Sequence, residues 1–169
     1  MLTLRPSTPA DREWVRQKMV TEWGAEIVVA HGELLRPADL PGFIAEAEGE
    51  TIGLLTYIVR GEACEIVTLD SWSEGRGVGT ALIAAARQAA LQAGCRRLWL
   101  VTTNNNTHAL HFYQKRGFTL CAIRLNALEA SRRIKPEIPL VDDDGIPIRD
   151  EIELEMMLPG PQSPEGLSQ

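Results

Sequence analysis

Between Leu69 and Thr80 the chain reads Leu-Asp-Ser-Trp-Ser-Glu-Gly-Arg-Gly-Val-Gly-Thr, an apolar strand end feeding a glycine-rich turn that opens a helix. Amides in a helix's first turn have no partner inside the helix, and the helix dipole is positive there. Such a turn, formed here by Glu74, Gly75, Arg76, Gly77, Val78, Gly79 and Thr80, can cradle a phosphate; the same residues also suit a plain flexible connection. Two phosphate motifs fail on spacing. A P-loop ends in Gly-Lys-Ser/Thr, where this chain has Gly79-Thr80-Ala81, and the third glycine of a dinucleotide fingerprint falls on Thr80. Glu65 is the second candidate. It sits in Cys64-Glu-Ile-Val67-Thr-Leu69, a run apolar on both faces and so expected inside a sheet. A carboxylate there needs a reason, either chemistry or the hydrogen bonds of a structural acid.

Other constellations are weaker. His108 and His111 lie three apart on a predicted helix with no evident third ligand, and Asp142-Asp143-Asp144-Gly145 lacks the alternating oxygens and distal glutamate of a calcium loop. No metal is expected, and the aspartate run reads as a turn. Cys64, Cys95 and Cys121 are odd in number and widely spaced, so they read as reduced, buried thiols.

The elements that must position these groups are legible from caps and periodicity. Ser7 to Asp11 opens a helix expected to run through Trp14, Val15, Met19 and Val20 and to stop near Gly24. The stretch from Ile27 to Leu40, broken by Gly32 and Pro37, gives no clear reading. Strands are expected over Phe43–Glu46, Thr51–Val59 and Ala63–Leu69, joined by tight turns into an antiparallel meander. Val78, Leu82, Ile83, Ala86, Ala90 and Ala93 then fall at helical spacing ahead of Gly94. A strand over Arg97–Thr102, a helix over Thr107–Arg116 and a strand over Phe118–Arg124 follow. Strand, helix, strand, helix, strand predicts an α/β fold: a mixed sheet with an antiparallel meander followed by parallel βαβ strands. Asn126–Lys135 suits a short helix, and Asp150–Leu158 alternates. Ile152, Leu154 and Met156 are expected in the core there, and Glu151, Glu153 and Glu155 on a solvated face. One domain is expected over residues 1–158, with a disordered tail from Pro159 to Gln169.

Glu74-Gly-Arg-Gly77-Val-Gly79 resembles the Gln/Arg-x-x-Gly-x-Gly/Ala motif of the GNAT superfamily of acyl-CoA N-acyltransferases. The segment Asn106-Thr-His-Ala109-Leu-His-Phe112-Tyr113-Gln-Lys-Arg-Gly117-Phe118 is similar to that family's second signature. The resemblance extends from about Thr51 to Phe118. Glu74 departs from the pattern, since Gln or Arg is usual at its position. The resemblance implies a GNAT-like fold and an acetyl-CoA co-substrate. Its pyrophosphate would rest on the amides from Glu74 to Thr80, and its pantetheine arm on the backbone around Val67 and Leu69. Asn104 or Asn106 would bond the arm from the other side, although Asn106 equally suits the N-cap of its own helix. It further implies Tyr113 as the acid that protonates the leaving thiolate, against a reading as a core aromatic. Glu65 would be the base that takes the proton of an attacking amine, against a reading as a structural acid. Direct transfer to the amine is expected, since no cysteine sits in an activated setting.

Composition narrows the remaining classes. The 169 residues are 44% hydrophobic and 24% charged, ordinary globular values, and the net charge of −6 argues against a nucleic-acid partner. No apolar run reaches the roughly 20 residues of a membrane span, and the first residues lack a signal-peptide pattern, so a cytoplasmic protein without a membrane partner is expected. The partners expected are acetyl-CoA and a small-molecule or peptide amine. The segment from Asn126 to Asp150 would form an acceptor-site wall or a homodimer contact. A non-catalytic acyl-CoA-binding module and a partner-binding protein are the competing readings.

Overall fold

A computed structural model describes residues 1–160. The tail expected from Pro159 to Gln169 lies, from residue 161 on, outside the described residues. In chain order the elements are β1 (Thr3–Pro6), α1 (Arg12–Trp23), β2 (Val28–Ala30), β3 (Glu33–Leu35), β4 (Gly42–Ala47), β5 (Glu50–Arg60) and β6 (Ala63–Ser71). There follow α2 (Val78–Gln92), β7 (Arg97–Thr103), α3 (Thr107–Lys115), β8 (Thr119–Arg124), α4 (Ala127–Ile134) and β9 (Glu151–Met157). Seven strands form one sheet in the order β1-β4-β5-β6-β7-β9-β8, and β2 and β3 pair as a separate hairpin.

The helices cover opposite faces of this sheet because each presents one apolar stripe. On α2 the buried residues Val78, Leu82, Ile83, Ala86 and Ala90 pack with Leu55, Cys64, Ile66 and Leu98. On α1, Val15 and Met19 pack with Ile44 and Leu54 from the other side. Each such side chain contributes about 1.5–3 kcal/mol on burial, so the two stripes hold the sheet between them. Where α2 starts, the helix lies very close: a Cβ on Gly53 of β5 would stand 2.5 Å from Cγ1 of Val78. That close approach fixes the glycine-rich turn against the sheet.

The mixed α/β sheet, an antiparallel meander followed by a parallel pair, stands as expected, and three details are corrected. First, parallel pairing is confined to β6 and β7, because β9 inserts antiparallel between β7 and β8. Second, Glu151 and Glu153 are buried, at 4% and 8% exposure, rather than lying on a wet face. Alternation told the two faces of β9 apart. It carried no sign of the β2–β3 hairpin that covers the second face, where the His31 amide donates to Glu151. Third, Cys121 is exposed, since it lies on the edge strand β8, while Cys64 and Cys95 are buried.

The cysteines therefore differ in reactivity. Burial pushes the Cys64 thiol up to about 12 and raises Cys95 and Cys121 as well, so access to solvent, not acidity, sets Cys121 apart. The thiolate is the reactive form, so a thiol reagent at pH 8 is expected to modify Cys121 alone in the native protein and all three cysteines after unfolding. Two fast-reacting native thiols, read by absorbance or mass, would contradict this arrangement.

Candidate active site

The parallel ladder between β6 and β7 is short. Ala63, Cys64 and Glu65 pair with Arg97, Leu98 and Trp99, and pairing then stops. The cause lies on the other side of β6. Thr68 pairs with Thr56 and Ile66 with Tyr57, so Val67 is an extra residue without a partner on β5. A bulge bends its strand, and here β6 leaves β7 from this point on. The gap is a cleft of about 590 Å³ walled by Ile66, Val67 and Leu69 of β6 and by Leu100, Val101 and Thr102 of β7. Beyond Glu65, the backbone of β6 has no ladder partner on this side and is available to pair with an extended ligand.

The glycine-rich turn closes one end of the cleft. Gly75 and Gly77 hold φ of 73° and 68°, the left-handed region where a Cβ is strained, although open space surrounds both. Gly77 is the N-cap of α2 and supplies no side-chain cap. The first bond of the helix runs from the Ala81 amide to the Gly77 carbonyl, at 3.0 Å, so the amides of Val78, Gly79 and Thr80 precede it. Such a terminus on a helix of 15 residues suits an anion. Gly79 has a packing role as well: a Cβ there would come within 2.7 Å of the Phe112 ring, so its absence lets α3 approach. Glu74 lies exposed on the cleft wall. Arg76 points away toward Glu48, 3.9 Å off. A cation that sequence reasoning missed stands instead at Thr80: Arg116 stacks 3.6 Å from the Phe112 ring centre and donates to the Thr80 hydroxyl at 2.9 Å.

Tyr113 lines the same cleft. Its ring stands edge-on to Phe112 and Phe118, with centroids 5.2 and 5.4 Å away, and the residue is 8% exposed. Burial, with a smaller contribution from the charge of Asp70, raises its pKa above the ordinary phenol value, so the hydroxyl keeps its proton. Asp70 is a cleft residue the motifs did not mark. The Trp23 indole donates to both its oxygens, at 2.9 and 3.2 Å, tying the end of α1 to the site.

The two asparagines part company. Asn106 lines the cleft and caps α3, its Oδ1 accepting the Ala109 amide at 3.1 Å. Asn104 lies elsewhere. Its Oδ1 accepts the amides of Arg149 and Asp150 at 3.0 and 2.9 Å, and its Nδ2 donates to the Pro147 carbonyl at 2.9 Å. Those bonds fasten the segment between α4 and β9, which Arg132 also grips through the carbonyls of Ile138, Pro139 and Ile148.

Glu65 is the last paired residue before the strands separate, so it stands at the apex of the gap. At 2% exposure it accepts or shares a proton with His31 Nε2, 2.8 Å from its Oε1, while its Oε2 is buried without any partner. Burial raises its pKa and the His31 bond opposes that rise. His31 and Gly32 form the two-residue turn of the β2–β3 hairpin, with φ of 43° and 77°. Two successive positive φ values are the mark of a type I′ hairpin turn. The ordinary signal for that turn, Asn-Gly, is replaced here by His-Gly, which is why the hairpin escaped notice.

The family model described as Acetyltransferase (GNAT) family matches residues 7–118. The uncharacterised protein YdhI of Bacillus subtilis (strain 168) is 42% identical over 153 residues, 90% of this chain and 96% of that protein. Among solved structures, the IAA acetyltransferase from Bacillus cereus ATCC 14579 superposes with a TM-score of 0.67 at 20% identity, covering 94% of this chain and 100% of that one. A GNAT family acetyltransferase from Elizabethkingia anophelis with acetyl-CoA bound gives 0.65 at 21% identity, covering 93% of this chain and 98% of that one.

Proposed function

The chain belongs to the GNAT acetyltransferase family, and from that premise we propose that it is an N-acetyltransferase that moves an acetyl group from acetyl-CoA directly to a primary amine. The observation that carries this reading is the strand gap itself. An unpaired β6 edge, an uncapped helix N-terminus and a protonated tyrosine all face one cleft. The fit to acetyl-CoA is physical. The amides from Glu74 to Thr80 suit a pyrophosphate, the β6 backbone around Val67 and Leu69 suits the amides of a pantetheine arm, and Asn106 lines the opposite side. Asn104, tied to Pro147, Arg149 and Asp150 and absent from the cleft wall, is left out of this reading.

Acetyl-CoA supplies the acetyl group as a thioester, whose carbon–sulfur bond breaks as the amine nitrogen bonds the carbonyl carbon. An alkyl ammonium of pKa ~10.4 must first lose a proton, a cost of about 4.6 kcal/mol at pH 7. Glu65 takes that proton, its raised pKa making it a better base than an exposed carboxylate. Tyr113 gives its proton to the departing sulfur and recovers one from solvent. Cys64, buried and held as a thiol, is no nucleophile, so the transfer needs no acyl-enzyme.

The test is release of free thiol from acetyl-CoA with a panel of amines, alongside the thermal shift produced by CoA. Binding without thiol release for any amine would make this a binding module, and no binding at millimolar CoA would end the reading. Gly77→Asp separates the turn from the rest. It puts a strained side chain and a negative charge at the helix start, where a Cβ meets nothing within 4 Å. We expect acetyl-CoA affinity to fall by about tenfold or more, with only a small change in melting temperature. Unchanged affinity by calorimetry would show that the turn does not hold the phosphates.

A further inference from the structure

Charge is unevenly placed around the cleft. Among the described residues that line it, Asp70 and Glu74 are acids, and Arg116 is the one lysine or arginine. The turn's own cation is engaged elsewhere: Arg76 is not on the cleft wall and stands 3.9 Å from Glu48. A turn built to hold phosphate thus carries a like charge at Glu74 and brings no cation of its own to the cleft.

The packing between α2 and α3 supplies one. Gly79, in the first turn of α2, has no Cβ, so the Phe112 ring lies against it. Arg116 follows Phe112 by one helical turn, and its guanidinium rests 3.6 Å from the centre of that ring. From there Nε donates to the Thr80 hydroxyl and Nη1 to the Phe112 carbonyl, each at 2.9 Å. All of these partners are neutral. Elsewhere in the fold Arg97, Arg124 and Arg149 each meet a carboxylate; among the described residues Arg116 meets none, and its Nη2 bonds no protein group. A guanidinium fastened by neutral groups keeps its whole charge and a free edge, and its planar fork matches a phosphate. Thr80 joins the two halves of the arrangement. Its amide is one of those that precede the first bond of α2, and its hydroxyl holds Arg116.

Resting on the transfer reading above, we propose that Arg116 is a phosphate ligand of acetyl-CoA, the cation that α3 brings to the free amides of α2 in place of one from the turn. The ligand class is a phosphate ester or anhydride. The co-substrate is then selected by its charge as well as by its thioester, and Arg116 serves binding rather than chemistry.

Calorimetry of CoA on the full chain tests this without an acceptor. Arg116→Ala should weaken CoA by roughly tenfold or more at about 0.05 M salt, the scale of one hydrogen bond to a charged group, and the gap should narrow toward about 1 M salt as the charges are screened. Arg116→Lys keeps the charge and loses the fork, so its affinity should fall between the two and keep its salt dependence. Dephospho-CoA, which lacks the 3′-phosphate, locates the contact. An equal loss with it assigns the pyrophosphate and a smaller one the 3′-phosphate; either upholds the proposal. Unchanged CoA affinity in Arg116→Ala overturns it. So does a loss of one size at every salt concentration with a lowered melting temperature, which would reduce Arg116 to a brace for Phe112. If Arg116→Ala does not fold, Arg116→Gln takes its place in the same comparison. Salt-dependent weakening of CoA in a protein that acetylates no amine would keep the phosphate ligand and sink the transfer reading. Undiminished CoA binding by Arg116→Ala, with amines still acetylated, would do the reverse.

Discussion

Tyr113→Phe is expected to lower turnover by about 10²-fold while leaving acetyl-CoA affinity and melting temperature close to wild type. The substitution removes one oxygen from a ring otherwise retained against Phe112 and Phe118. Among the described residues that hydroxyl bonds no other protein group, so its loss breaks no contact that holds the fold. Its pKa, raised by burial and by Asp70, keeps it protonated beyond the ordinary phenol range. The wild type should accordingly show no loss of its acid up to about pH 10. Steady-state thiol release and calorimetric CoA binding measure the two quantities separately. A variant with normal turnover would leave the sulfur to be protonated by water, and one with weakened CoA binding would make the hydroxyl a cofactor ligand.

What the sequence made legible was local. The glycine turn, the apolar stripe of α2 and the Asn106 and Gly117 ends of α3 each depend on residues within a few positions of one another, and each stands where expected. Tyr113, Val67, Leu69 and the turn also face one cleft. What stayed hidden was set by distant pairing. Nothing near Thr119 announces that a strand 32 residues farther on will lie between it and β7. Asn104 has its partners 43 to 46 residues away, so its neighbourhood in the chain could not separate a ligand-binding amide from a fastening one. The acids of β9 looked solvated for the same reason. Their cover comes from His31, 120 residues earlier, in a hairpin too short and too irregular to show a period.

Glu65→Gln should cost activity and yet stabilise the protein, a combination a structural acid would not give. Its activity loss should reach about 10²-fold near pH 7 and shrink toward pH 10, where solution already supplies free amine. Its effect on stability follows from the direction of the carboxyl's shift. Burial raises the pKa of Glu65 in the folded state, against the opposing His31 bond, so the native protein binds the proton more tightly than the unfolded chain. Stability from this group is present at low pH and is lost as pH rises through the window between the unfolded value and the raised one. Above that window the native state carries a buried charge with one oxygen unpartnered. Gln keeps the volume and an oxygen for His31 while removing the charge. Its melting temperature should therefore lie about 2–4 °C above wild type at pH 8, and the gain should vanish near pH 4. Equal activity loss at every pH, together with a lower melting temperature, would instead make Glu65 a structural acid held by His31 and would leave the proton of the amine to another group.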